Sequence, residues 1–412
     1  MRKILGALVW GIVLVGCGSS GETSQEIQTP PSEVTLTPEV PLESQTTLLS
    51  LMSEEDWEWL FPFRFGKANP YGAEYNKGSS ACERLGIEGS VEESDACDIY
   101  TLDTFKEAVQ RYNSYAKAYD KPLFLEEGSV SQQAEELSAF FAHISRETSG
   151  TWSTAPVEEN GWIEDDSHIG MVVWKGGLYW LEEIGHTTNL DGSVLEGGVG
   201  YVDSTSIYTP VENRSYHGRG PIQLSWNYNY GALSAWLYTY EIYPEVITSK
   251  ETLLQNPSLV ERDALVGFLS AIWFWMTPQG QKPSSHAVML GEVSRVASSL
   301  EEGLPPLRSS VTTTLPLEEG ESKDAEVVAY RFGATINIVN GGLECGLNAQ
   351  THQAPTQRVS YFNAYTTYWN YRYGLDATST HLGYIALERV SDESSVLMQF
   401  ATCYAQASYG SF

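Results

Sequence analysis

Glu147 occupies a position in this sequence where a hydrophobic residue is expected. The stretch FFAHISRETSGTW predicts a helix whose apolar stripe runs from Leu137 to Ile144, and Glu147 lies on the same stripe. Removal from water disfavours the charged form of a carboxylate, and the C-terminal end of a helix acts in the same direction. Glu147 is therefore predicted to stay protonated near neutral pH and to serve as a proton donor.

A structural role for Glu147 is the alternative to this interpretation. A buried glutamate can also be held in an ion pair with an arginine, and such pairs perturb carboxylates without any catalytic role. Arg146 is adjacent in sequence, but we expect it to point to another face of the helix.

A second carboxylate follows in the stretch GGLYWLEEIG (176–185), which contains Glu182 and Glu183. In an extended segment these two side chains face opposite ways, so only one of them can share a cleft with Glu147. A proton donor and a second carboxylate on either side of a bond are the pair that cleaves glycosidic linkages. The alternative is a solvated acidic pair at the end of a strand.

The run YHGRGPIQLSWNYNYG (216–231) gathers amides, hydroxyls and aromatic rings. Its polar members are Arg219, Gln223, Ser225, Asn227, Tyr228 and Asn229. The run is not a phosphate loop, because it lacks the third glycine and no GKS or GKT follows. Its side chains suit a neutral ligand rich in hydroxyl and amide groups, such as an N-acetylated sugar. The alternative is a turn followed by a surface helix.

Composition excludes several other classes of protein. The 412 residues carry a net charge of −29, which argues against a nucleic-acid partner. The seven histidines form no HExxH motif, no GxSxG is present, and no cysteines form a CxxC pair. We therefore expect neither a metal nor a cofactor.

The elements that must position these residues are predicted to be mainly helical. Helices are predicted over 101–119, over the segment that leads to Glu147, over the apolar stretch 269–276 and over 358–374, while 334–346 is a helical or extended run broken by two glycines. Strand alternation is sparse. Segments 67–96, 154–170 and 296–324 resemble insertions in a single domain.

The N-terminal residues predict export. Basic residues followed by a short apolar run end at Cys17, as in a lipoprotein signal peptide whose cysteine receives the lipid. We divide the chain into this signal (1–17), a flexible tether (18–50) and one folded domain (51–412). No later segment is predicted to span a membrane, so we expect a monomer held at the bacterial cell envelope by its N-terminal lipid alone.

Four cysteines remain after Cys17, and three disulfide connectivities are possible. Their spacing favours Cys82–Cys97 as a local link and Cys345–Cys403 as a long closure.

Five stretches in this order resemble the plant-type (family 19) chitinases. They are FFAHISRETSGTW, GLYWLEE, GRGPIQLSWNYNYG, MTPQGQKPSSHAV and NIVNGGLECG. The resemblance extends over about residues 55–410 and implies a lysozyme-like, mainly α fold with two lobes around a sugar-binding cleft. It also implies an inverting hydrolase that cleaves the β-1,4 links of chitin or chitooligosaccharides.

The resemblance assigns roles to individual residues. Glu147 matches the general acid, Glu183 the general base, and Ser225 the residue that holds the attacking water. In an inverting enzyme we expect the two carboxyl groups to stand about 6.5–9.5 Å apart. The positions that match sugar-binding residues are Ser149, Gln223, Tyr228, Asn229, Gln279, Lys282, Asn340 and Arg358. The family cysteine at Cys345 supports the link to Cys403.

The sequence departs from the family pattern beside the acid, since Arg146 replaces a usual histidine and Ser149 a common threonine. Two other functions stay open at this point. The first is a lytic enzyme that acts on peptidoglycan, which the net charge of −29 disfavours. The second is a non-catalytic chitin-binding lipoprotein, which the presence of both carboxylates disfavours.

Overall fold

A helix that is buried on nearly all of its faces carries Glu147. Helix α4 spans Val130–Ser149, and its apolar residues Leu137, Phe140 and Phe141 are fully buried. Burial of each such side chain contributes about 1.5–3 kcal/mol. Polar residues on the other faces of α4, such as Ser138, are buried as well. The helix is therefore a central element of the core and not an amphipathic surface helix.

The computed structural model describes residues 46–62, 64, 98–149, 163–166, 171–174, 177–180, 182–183, 185–189, 191–280, 282–293, 323–346, 353–380, 390 and 394–407. The described residues all belong to one compact unit. The predicted signal peptide with Cys17, the tether up to residue 45 and the Cys82–Cys97 link lie outside the described residues.

Helices dominate the described part of the chain, which confirms the predicted mainly helical fold. Besides α4 they are α1 (Leu48–Leu51), α2 (Glu54–Leu60), α3 (Leu102–Ala118), α5 (Asn227–Thr239), α6 (Thr252–Gln255), α7 (Leu259–Arg262), α8 (Ala264–Met276), α9 (Ser285–Leu290), α10 (Lys323–Glu344), α11 (Gln353–Tyr373) and α12 (Val396–Ala401). None of the described helices is long and apolar enough to cross a membrane.

Four short strands form two antiparallel pairs. Strand β1 (Ile163–Asp166) pairs with β2 (Met171–Trp174), and Ile163 lies opposite Trp174. Strand β3 (Thr187–Thr188) pairs with β4 (Val194–Glu196) through an irregular register. The first pair begins inside the predicted insertion 154–170.

The apolar helix α8 forms the centre of the packing with α3 and α4. It begins earlier than predicted, at Ala264, because the side chain of Asp263 caps it by accepting a hydrogen bond from the Val266 N–H. Phe268 on α8 packs against Phe105 on α3, with ring centroids 5.3 Å apart. Phe105 in turn contacts Phe141 on α4 at 5.3 Å.

Helix α10 continues past the point where the sequence predicts a break. The backbone leaves helical geometry at Asn340 (φ −147°, ψ 31°), one residue before the paired glycines, and the helix extends to Glu344. Earlier in α10, Gly333 lies against the backbone carbonyl of Phe400 on α12, where an added Cβ would come within 1.9 Å of the oxygen. Only glycine permits this approach.

A disulfide links Cys345, just after α10, to Cys403, just after α12, as predicted. It closes a loop with a sequence separation of 58 residues. The two helices therefore stay together at the end of α10 that carries Asn340.

A buried ion cluster ties α9 to α4. His286 lies between two carboxylates, with Nδ1 2.7 Å from Glu136 Oε1 and Nε2 3.3 Å from Glu127 Oε2. Burial lowers the pKa of His286, but the charges and hydrogen bonds of Glu136 and Glu127 outweigh it and raise the pKa above its usual value.

Candidate active site

Glu147 lies in the last turn of α4 and is held by an arginine from α11. Arg358 Nη2 donates a hydrogen bond to Glu147 Oε1, and the Glu147 side chain is 20% exposed. The Glu147 carboxyl group is therefore partly exposed and paired, and the predicted burial without an ion-pair partner is wrong. The ion pair that the sequence left as an alternative is present, although its arginine is Arg358 and not the adjacent Arg146.

Arg358 is also bonded to a second carboxylate. Its Nε and Nη2 donate to the two oxygens of Glu344, at 2.9 Å and 2.8 Å. Burial lowers the pKa of Arg358, but Glu344 and Glu147 outweigh this effect and raise it. Burial alone would raise the pKa of Glu344, but the charge and hydrogen bonds of Arg358 outweigh burial, so the pKa is lowered. The single positive charge of Arg358 is thus shared between the carboxylates of Glu344 and Glu147.

His143 completes this network as a neutral side chain. Burial and the charge of Arg358 lower its pKa well below the usual range. Its Nδ1 accepts a hydrogen bond from Arg358 Nη1 at 3.1 Å, and its Nε2 lies 2.8 Å from Thr335 Oγ1. Arg358 is 1% exposed and does not line the cleft. Its predicted role as a direct sugar contact is wrong, because its donors are already bonded inside the protein.

The segment that carries Glu183 is attached to the end of α4 by Thr148. Leu178 N–H donates to Thr148 Oγ1, and Trp180 N–H donates to the Thr148 carbonyl, both at 2.6 Å. Gly177 permits this approach, since an added Cβ would lie 2.6 Å from Ser145 Oγ. The residue next to the predicted acid therefore positions the segment of the predicted base.

Two donors hold the Glu183 carboxylate. Tyr201 donates its hydroxyl proton to Oε1 at 2.7 Å, and the Gly218 N–H donates to Oε2 at 3.1 Å. Burial, followed by the hydrogen bond and charge of Glu183, raises the pKa of Tyr201, so its hydroxyl remains a donor. A carboxylate held in this way is oriented as a proton acceptor.

Glu182 turns in the other direction, as the alternation predicts. It is 1% exposed, and its Oε1 lies 3.1 Å from His217 Nε2. Burial lowers the pKa of His217 to about 4, so the imidazole is neutral at physiological pH. Glu182 therefore borders the cleft, but its side chain is almost inaccessible and contacts His217 instead.

The run from Arg219 to Trp226 forms a tight turn. Arg219 and Leu224 exchange backbone hydrogen bonds of 3.3 Å and 2.9 Å around it. Gln223 (φ 53°) and Trp226 (φ 75°) adopt left-handed backbone conformations that are rare for residues other than glycine. Such strain is typical of functional sites, and here it places Gln223 and Ser225 on the cleft wall.

Arg219 has a structural role, although the sequence grouped it with ligand-binding side chains. Its Nε lies 2.8 Å from Glu261 Oε2, and its Nη1 donates to the Ser215 carbonyl at 2.9 Å. The side chain is fully buried.

A cleft of about 420 Å³ brings the predicted site together. The predicted residues that line it are Glu147, Glu183, Ser225, Gln223, Tyr228, Asn229, Gln279, Lys282 and Asn340. Gln279 Nε2 is buried without a hydrogen-bond partner. Lys282 Nζ donates to the Ile338 carbonyl at 2.9 Å. The side chain of Ser149 lies outside the described residues.

Sequence reasoning missed three polar residues of this site, namely Tyr201, Glu344 and Arg146. Glu344 stands inside the recognised stretch NIVNGGLECG, so its motif was a usable signal. Tyr201 lies outside the recognised stretches, and only the folded chain brings it to Glu183. Arg146 was predicted to face elsewhere, but it lines the cleft beside Glu147.

One group of three described residues has the chemistry of a metal site. Glu182, His217 and Glu261 each offer a ligand atom, and these atoms lie within 4.8 Å of one another. Arg219 already pairs with Glu261 and supplies the positive charge that a cation would bring. The group therefore fits a buried ion cluster better than a metal site.

Comparison with known proteins places the chain among chitinases. A family model described as chitinase class I matches residues 194–307. The acidic endochitinase WIN6 of Populus trichocarpa is 32% identical over 68% of this chain and 61% of its own length. An endochitinase of Carica papaya is 30% identical over 65% of this chain and 80% of its own length.

The name of one relative shows that a protein similar to chitinases can lack activity. The inactive chitinase-like protein 1 of Hevea brasiliensis is 31% identical over 67% of this chain and 65% of its own length. The chain thus spans less than two thirds of the Populus and Hevea relatives. Activity must therefore be argued from the residues of the cleft.

Proposed function

The chain belongs to the class I chitinase family, and we propose that its cleft hydrolyses the β-1,4 links of chitin or chitooligosaccharides with inversion at the anomeric carbon. The observation that carries this proposal is that Glu147 and Glu183 open into one cleft and are held there by different donors. Separate environments for two carboxylates suit separate roles as acid and base.

Glu147 is the general acid in this mechanism. Arg358 orients the Glu147 carboxyl group and is bonded to Glu344 at the same time. In its protonated form Glu147 transfers a proton to the leaving glycosidic oxygen, and Arg358 then stabilises the carboxylate that remains. The ion pair thus supports the product of the proton transfer.

Glu183 is the general base and acts on a water molecule. Tyr201 and the Gly218 N–H orient its carboxylate. Ser225 lies on the same cleft wall, where its hydroxyl group donates to the Gln223 carbonyl at 3.0 Å. The lone pairs of the Ser225 oxygen remain available to accept a hydrogen bond from the attacking water.

The rest of the cleft suits a neutral sugar chain. The rings of Trp226 and Tyr228 are stacked with centroids 5.9 Å apart and are 40% and 37% exposed. Exposed aromatic faces bind the apolar faces of sugar rings, while amides bind hydroxyl and N-acetyl groups. Gln279, with its unpartnered amide, is such a donor, and Gln223, Asn229, Lys282 and Asn340 add polar groups around it.

The test follows the anomers of fresh product by proton NMR during digestion of N-acetylglucosamine hexamer. We expect the α-anomer to appear first with the wild type, and we expect neither anomer with Glu147→Gln or Glu183→Gln. Glu107→Gln is the control, because Glu107 lies on α3 and does not line the cleft. Early β-anomer would overturn the inverting mechanism and the role of Glu183.

Absence of hexamer turnover would favour one of the two other functions. Clearing of a peptidoglycan suspension by the wild type, but not by Glu147→Gln, would identify a lytic enzyme. Chitin binding without hydrolysis of either polymer would identify a binding protein.

We also propose that Cys17 is lipid-modified and that the residues between Cys17 and α1 tether the monomeric catalytic domain to the cell envelope. The predicted tether of residues 18–50 is too long, because residues 48–50 belong to α1 and Leu48 is fully buried. The basic and apolar N-terminal pattern supports this localisation. Labelling of cells with a fatty-acid probe should mark the wild type but not Cys17→Ala. Equal labelling of the two would contradict the proposal.

A further inference from the structure

A guanidinium nitrogen without a hydrogen-bond partner lies beside the predicted acid. Arg146 immediately precedes Glu147 in α4 and lines the same cleft. Its Nε is enclosed by the protein, yet it donates no hydrogen bond. Buried polar groups are nearly always hydrogen-bonded, so an orphan donor at a cleft wall indicates a missing acceptor.

The carboxylates near Arg146 are already bonded to other donors. Glu344 accepts from Arg358 and from Asn340 Nδ2, the latter at 2.8 Å. Glu147 accepts from Arg358 as well. The Nε of Arg146 thus has no acceptor among these carboxylates, although the residue lines the cleft.

Arg146 remains a cation in this position. Burial lowers the pKa of Arg146, and the positive charge of Arg358 lowers it further. The negative charges of Glu344 and Glu147 raise the pKa, but they do not outweigh these two effects. The usual value for arginine is so high that the side chain stays protonated at any assay pH. Lys282 adds a second cation to the lining of the cleft.

We propose that Arg146 is a specificity-determining residue that selects an N-acetylated sugar at the subsite beside Glu147 and excludes a sugar with a free amine there. The inference rests on the proposed function and concerns the same cleft. A guanidinium group is only a donor, so it pairs with the acetamido oxygen. A protonated amine is also only a donor and carries the same charge, so it leaves Arg146 unpaired and is repelled.

The experiment digests partially N-acetylated chitosan and determines the sugar at both newly formed chain ends by mass spectrometry. The wild type is compared with Arg146→Gln and with Arg146→His, which restores the residue usual in the family. Arg146→Lys retains the charge. Arg111→Gln is the control, since Arg111 is paired with Glu107 on α3 and does not line the cleft.

We expect glucosamine to be rare at one of the two new ends with the wild type, Arg146→Lys and Arg111→Gln. At a pH well above the ordinary histidine pKa of about 6.5, both Arg146→Gln and Arg146→His are neutral and should raise its frequency at that end by about tenfold or more. An unchanged frequency at both ends, with normal cleavage of the acetylated hexamer, would overturn this inference alone. Loss of all cleavage in both folded neutral variants would also overturn it, because selection would not be the role of Arg146. A wild type that cannot cleave the hexamer would overturn the proposed function together with this inference.

Discussion

Removal of the Tyr201 hydroxyl group isolates the hydrogen bond that holds the predicted base. Tyr201→Phe deletes one oxygen, which lies 2.7 Å from Glu183 Oε1. The aromatic ring remains and can keep its edge-to-face contact with Trp226, at a centroid distance of 5.6 Å. The second donor to the carboxylate, the Gly218 N–H, also remains.

The expected loss follows from the strength of this bond. A hydrogen bond to a charged group contributes about 1.5–3 kcal/mol, which corresponds to a decrease of about 10- to 150-fold in kcat/KM.

The assay measures kcat/KM for N-acetylglucosamine hexamer across pH. Tyr243→Phe is the matched control, since the Tyr243 hydroxyl group donates to Asp263 at 3.2 Å and does not line the cleft. A Tyr201→Phe enzyme with kcat/KM within about twofold of the wild type would refute the reasoning.

Three further predictions concern the framework of the site. Thr148→Val removes the acceptor of a buried N–H and should lower the free energy of unfolding in urea by about 1–3 kcal/mol, with a loss of kcat. The raised pKa of His286 implies stabilisation that is fully present below its ordinary pKa of 6.5 and is lost as pH rises through the folded-state value. Thermal melts should therefore show a stability decline in the wild type that is absent in His286→Gln. Replacement of both Cys345 and Cys403 by serine opens a loop with a separation of 58 residues and should cost about 4 kcal/mol of unfolding free energy.

Each of these predictions can be contradicted. Normal stability and kcat in Thr148→Val would mean that the Glu183 segment is positioned by other contacts. A stability decline of equal size in His286→Gln would assign the pH dependence to other groups. Unchanged urea midpoints for the double serine variant would show that the packing of α10 against α12 holds this region without the disulfide.

Much of the helical architecture could be predicted from local pattern. Helix α3 was predicted over 101–119 and spans Leu102–Ala118, because the period of its buried residues is visible in the sequence. The boundaries of α8 and α10 were less accurate. Asp263 starts α8 earlier through its cap, and α10 continues past its distortion at Asn340 to Glu344.

Local motifs also predicted most of the cleft residues, because these residues lie in contiguous stretches of recognisable composition and order. The motifs could not predict which way the side chains of Arg358 and Arg146 point. Arg358 was expected in the cleft but is buried behind it, while Arg146 was expected elsewhere but lines the cleft.

The sequence by itself determined which residues can do chemistry, namely two glutamates on separate segments and the polar run 216–231. Only the tertiary structure decided how each is held. Glu147 meets Arg358 across 211 positions of sequence, and Tyr201 reaches Glu183 from a segment outside every recognised stretch. The physical reason is that charges and hydrogen bonds act over a few ångströms in space, and periodicity along the chain carries no information on which distant segments will approach.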